Sequence, residues 1–91
     1  MKSLHCIVLG RVQGVWFRAW TTEQATRLGL AGWVRNRHDG TVEAVVSGAD
    51  DQVDRMITLL GQGPPLAQVL GVQATPCDAL QKSGFHALPT V

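Results

Sequence analysis

The stretch Trp33-Val34-Arg35-Asn36-Arg37-His38-Asp39-Gly40-Thr41-Val42 restricts the fold more than any other part of this chain. Asp39-Gly40 is a strong signal for a tight hairpin turn, because the primed turns need positive φ at their central positions. Strand-forming residues flank it, Trp33-Val34 before and Val42 to Val46 after. An antiparallel hairpin in mid-chain leaves room for one strand and one helix on each side of it, and both flanks supply them. Leu4 to Leu9 is a short apolar run ending at Gly10, read as a strand buried on both faces. A helix follows from Thr21 or Thr22 to Leu28, with Thr22 as its cap and Gly29 as its stop. After the hairpin, Asp50 and Asp51 sit where a helix dipole favours negative charge. Val53, Met56, Ile57 and Leu60 then fall at i, i+3, i+4 and i+7, one apolar stripe for the core. Gly61 and Gly63-Pro64-Pro65 end that helix, Val69 to Ala74 is a last full strand, and Gly84 to Leu88 adds a short edge strand.

The order strand, helix, strand, strand, helix, strand is the α+β, ferredoxin-like βαββαβ sandwich, an antiparallel sheet with two helices on one face. Its 91 residues are one domain, residues 1–91. One consequence bears on function. The first and second strands point the same way, so the loop after Gly10 and the residues before Asp39-Gly40 are neighbours at one end of the sheet. Asn36, on the same face as Val34 by alternation, lies at that end.

The loop Gly10-Arg11-Val12-Gln13-Gly14-Val15-Trp16-Phe17-Arg18 is unlike its surroundings: two glycines, two arginines and no carboxylate. Glycines let successive N–H groups turn inward around one point, and the helix that follows offers free donors and a partial positive charge. Arg18 ends the loop with a planar fork that matches two oxygens of a phosphate or carboxylate. The residues by themselves read as a small-anion site, phosphate foremost, against the plainer alternative of a tight connection with two solvated arginines.

Other sequence features narrow the field. A net charge of +1 gives no long-range field for nucleic acid or membrane. Ferredoxin-like domains also bind RNA through aromatic strands, but aromatic residues are 5 % here and no basic-aromatic strand motif occurs. Cys6 and Cys77 match no metal-ligand spacing and are read as free thiols in a reducing compartment, with one disulfide as the alternative. The N-terminal apolar stretch is too short for a signal peptide, and no segment approaches the roughly 20 apolar residues of a membrane helix. A soluble cytoplasmic monomer is expected. His5 and His86 are isolated in strands and read as structural. Glu43 has no evident partner.

"GRVQGVWFR" followed by "LGLAGWVRNRHDGTVE" closely resembles the acylphosphatase family in order and spacing, and "GQGPPLAQV" and Phe85 to Thr90 extend the likeness over nearly the whole chain. The resemblance implies hydrolysis of small-molecule acyl phosphates without metal or cofactor, by in-line attack of water on phosphorus. It implies catalytic roles for Arg18, which would hold the phosphoryl group, and Asn36, which would orient the water. The loop from Gly10 to Arg18 would bind phosphate. Trp16 stands where the family often has a small or another apolar residue, leaving acyl preference open. A non-catalytic or carbamoyl-phosphate-handling acylphosphatase-like module is the alternative, since such domains also occur inside larger maturation enzymes.

Overall fold

The computed structural model describes residues 1–79 and 82–91. Its elements are β1 (Lys2–Arg11), α1 (Phe17–Arg27), β2 (Ala31–Asn36), β3 (Val42–Gly48), α2 (Asp50–Gln62), β4 (Gln68–Pro76) and β5 (Phe85–Ala87). The strands form one sheet in the order β4-β1-β3-β2-β5. β3 runs antiparallel to both β1 and β2, so these two point the same way on either side of it. This is the ferredoxin-like arrangement. The edge strand β5 pairs parallel with β2, which makes the sheet mixed.

β1 is not buried on both faces. Cys6 and Val8 are fully buried while their neighbours are only partly covered. The helices pack on one face of the sheet, where Cys6, Val8, Val34, Ala44 and Val46 meet Phe17 and Ala25 of α1 and Val53, Met56 and Leu60 of α2. Each valine, leucine, methionine or phenylalanine among them contributes roughly 1.5–3 kcal/mol by leaving water. The stripe on α2 does what its spacing predicts.

Three local expectations need correction. α1 begins at Phe17, not at Thr21 or Thr22, and Thr22 lies inside it with its hydroxyl donating to the Arg18 carbonyl at 2.9 Å. The hairpin closes through a longer loop than a two-residue turn. Arg37 N–H donates to the Thr41 carbonyl at 3.0 Å, and Gly40 has φ 93° while Asp39 does not take positive φ. The Asp39 carboxylate accepts from the Thr41 N–H and hydroxyl, which fixes the loop instead. Gly61 lies within α2, and Gly63, at φ 70°, ends it.

The face away from the helices carries a polar cluster that register alone creates. His5 and Arg35 are both cross-strand partners of β3 residues and converge on Glu43, with His5 Nε2 2.6 Å and Arg35 Nε 2.7 Å from its oxygens. The Arg35 guanidinium also lies over the Trp33 ring, 4.7 Å from its centroid. Burial pushes the Glu43 carboxyl up, but hydrogen bonds and charge from His5 and Arg35 outweigh it and hold the group below its ordinary value. A carboxyl depressed in the fold stabilises at pH above its unfolded value, about 4.3, and that stabilisation is lost as pH falls through the folded value. Glu43→Gln is therefore less stable than wild type at neutral pH in urea unfolding, and the two converge on acidification below about pH 4. A constant gap down to pH 2.5 or so would show that Glu43 acts by shape rather than charge.

Candidate active site

β1 ends at Arg11, paired with Gln68 of β4, and the chain then turns through five residues into α1. Val12 and Val15 are buried and root this loop in the core. Between and after them the backbone takes left-handed conformations, Gly14 at φ 73° and Trp16 at φ 67°. For tryptophan that conformation costs on the order of 1–3 kcal/mol, and it persists only where surroundings enforce it. Trp16 is also the N-cap of α1, yet no side chain caps the helix and its first turn holds no acid. None of the N–H groups from Gly14 to Ala19 finds an acceptor among the described residues. Left-handed kinks followed by an uncapped helix start gather donors and the positive end of the helix dipole at one place.

The second half of the site comes from β2. Asn36 is its last residue and is held by its backbone, pairing with Val42 and accepting the Val91 N–H at 3.1 Å. Its side-chain amide bonds to none of the described residues. Gln13 joins the two halves. Its side-chain nitrogen donates to the carbonyls of Arg37 at 2.7 Å and Thr41 at 2.8 Å, pinning the loop to the hairpin. The neighbourhood expected from strand direction is thus bonded together.

A cavity of about 470 Å³ opens between them, lined by Val12, Gly14, Trp16, Phe17, Arg18, Ala19, Asn36 and Ala87. It contains no carboxylate, and Arg18 is its one formal charge. Of the five other arginines, three are committed elsewhere, Arg27 to Glu23, Arg35 to Glu43 and Arg37 to Asp39, while Arg11 and Arg55 do not line this cavity. Arg18 makes no ion pair among the described residues and stands exposed at the rim. The arrangement suits a small oxyanion, because unengaged backbone amides, one guanidinium and one neutral side-chain amide border the same cavity without a carboxylate.

Of the residues singled out from sequence, Gly10, Arg11, Gln13 and Val15 do not line this cavity. Gly10 serves the sheet: at φ 125° it sits in a β-bulge against β4, where a Cβ would lie 2.2 Å from the Gln68 carbonyl oxygen. Arg11 is exposed at the strand end, Gln13 ties the loop to the hairpin, and Val15 is core. Ala19 and Ala87 line the cavity without having been anticipated. Ala19 follows from the earlier helix start, and Ala87 from the docking of β5 along β2. Cys6 and Cys77 are free thiols outside the site, and burial pushes Cys6 up to about 12. Among the described residues, no three His, Cys, Asp or Glu side chains cluster as a metal site. No helix among them is long and apolar enough to cross a membrane.

Comparison with known proteins gives concordant findings. The acylphosphatase family model matches residues 4–87. A Rhodospirillum rubrum protein named acylphosphatase is 48 % identical over 91 residues, all of both chains. A Rhizorhabdus wittichii acylphosphatase is 51 % identical over 99 % of this chain and 89 % of its own. The structure of an acylphosphatase from Coxiella burnetii superposes with a TM-score of 0.92 at 36 % identity, covering 96 % of this chain and 92 % of that one.

Proposed function

The chain belongs to the acylphosphatase family and hydrolyses acyl phosphates to a carboxylate and inorganic phosphate, and from this premise we propose how its residues do so. The phosphoryl group seats in the loop, its oxygens taking the N–H groups from Gly14 to Ala19 and the Arg18 fork. Asn36 holds a water opposite the leaving group. The water oxygen bonds to phosphorus as the bridging P–O bond breaks, the carboxylate departs with the electron pair, and the proton of the water passes to a phosphate oxygen. A carboxylate leaves readily, so the enzyme supplies charge and position rather than a strong acid. The observation that carries this reading is the shared cavity, in which Arg18, unengaged amides and the unengaged Asn36 side chain converge without a carboxylate. Both cysteines are free, which supports action in a reducing compartment, the cytoplasm.

Titration with inorganic phosphate tests the seat directly. The largest amide chemical-shift changes are expected from Gly14 to Ala19, with competitive inhibition of acetyl phosphate hydrolysis over the same concentrations. Shifts centred on another surface would place the anion elsewhere and end this reading.

A further inference from the structure

Gln13 does not line the anion cavity, yet among the described residues it makes the only hydrogen bonds that join the loop to the hairpin. A side-chain amide nitrogen carries two protons, and two carbonyls receive them, Arg37 at 2.7 Å and Thr41 at 2.8 Å. These carbonyls belong to the residues that close the hairpin loop, and Arg37 directly follows Asn36. Neither carbonyl depends on Gln13 for a partner. The Arg37 carbonyl also accepts the Gly40 N–H at 3.1 Å, and the Thr41 carbonyl accepts the Arg37 N–H at 3.0 Å. Removing a second donor costs far less than leaving a polar group bare. What the two bonds add is position.

We infer that Gln13 is a positioning residue for the chemical step, holding the hairpin against the loop so that Asn36 aims its water at phosphorus. The inference rests on the reading that phosphate sits in the loop and water at Asn36. Burial shows which part depends on the tie. The loop is rooted in the core by Val12 and Val15, which flank Gln13 and Gly14. From Asn36 to Thr41 the hairpin has no buried residue, and His38, Asp39 and Gly40 are exposed. Asp39 bonds only within the hairpin. Val91 grips it by main-chain atoms, its N–H donating to the Asn36 carbonyl at 3.1 Å and its oxygen accepting the His38 N–H at 2.7 Å. Those bonds fix β2 to the segment after β5 and leave its distance from the loop unset. Gln13 spans that distance. A misplacement of about 1 Å, even one caused by a change outside the reacting groups, can cost on the order of 10²-fold in rate.

The test is a double-variant cycle on acetyl phosphate hydrolysis. Gln13→Met keeps an unbranched side chain of similar length and removes both donors, whereas Gln13→Asn keeps the amide but falls one methylene short. Both are expected to lower kcat about tenfold, since Val91 still holds the hairpin from β5. The inhibition constant of inorganic phosphate should stay within about twofold, because the loop amides and Arg18 keep their places. The cycle separates aiming from folding. Added to Asn36→Ala, either Gln13 substitution should lower kcat by less than about twofold, because a side chain that acts by aiming Asn36 has nothing left to aim. A merely structural role would instead multiply the two losses. Circular dichroism identifies folded variants, and Gln13→Asn carries the cycle if Gln13→Met does not fold. Multiplied losses, or parental kcat in the Gln13 variants beside a slow Asn36→Ala, would overturn the inference alone. Parental kcat in Asn36→Ala would defeat the reading beneath it, so the two failures are told apart.

Discussion

Arg18→Ala is expected to lower kcat/KM for acetyl phosphate by about 10³-fold and to raise the inhibition constant of inorganic phosphate strongly. Arg18 is the one formal charge lining the anion cavity, and the remaining groups there offer amide dipoles alone. Unit charges about 4 Å apart interact by roughly 4 kcal/mol at an effective dielectric of 20, which is about three decades in rate. The side chain is exposed in the free enzyme, so part of that attraction is screened until substrate displaces water. The guanidinium is then worth more to the bound dianion than its exposure suggests. Arg18→Lys separates charge from geometry, since an ammonium keeps the charge and loses the two-pronged fork. About 10- to 100-fold loss is expected there. The two variants also differ in salt response: kcat/KM of wild type and Arg18→Lys declines as ionic strength rises, whereas that of Arg18→Ala is nearly flat. Steady-state kinetics at two salt concentrations check all of this. An alanine variant within a few-fold of wild type would remove Arg18 from the phosphoryl site.

How much of this was legible in the sequence depends on whether local chemistry and tertiary demand agree. They agree on α2, where Asp50 and Asp51 start the helix, Val53, Met56 and Leu60 face the core and Gly63 ends it. They disagree at the start of α1, and the disagreement is informative. Thr22 looked like a cap because Ser, Thr, Asn or Asp usually marks a helix start. The true start carries Trp16 and has no side-chain cap or early acid. A capping oxygen there would occupy the N–H groups proposed to hold phosphate, and an acid would repel it. The rule failed where the site needs it to fail. Strand direction was enough to bring the loop beside Asn36, but not to reveal Gln13 as the bond between them, because the hairpin carbonyls it uses are visible only once the turn is built. Glu43 likewise had no partner until register set His5 and Arg35 on its face. Gly10 reads from the sequence as part of the anion loop, and only the Gln68 carbonyl across from it shows that it serves a sheet bulge instead.

Asn36 offers the sharper test of the catalytic step, because its loss should separate turnover from binding. Asn36→Ala is expected to lower kcat on the order of 10²-fold while KM changes by no more than about threefold. The side chain carries no charge for the dianion and makes no hydrogen bond among the described residues. Its removal therefore costs little in ground-state affinity or in folding. The backbone that places it is untouched by the change, since pairing with Val42 and the bond from Val91 N–H use main-chain atoms. What is lost is orientation of the attacking water, a contribution made on the way to the transition state. Asn36→Asp keeps the size and reverses the outcome for binding. A carboxylate in a cavity that otherwise lacks one faces the phosphoryl dianion directly, so KM rises along with the fall in kcat. The contrast between the two substitutions is the discriminating result. Equal KM values for alanine and aspartate would mean that residue 36 does not face the substrate, and parental kcat in the alanine variant would mean that another group aims the water.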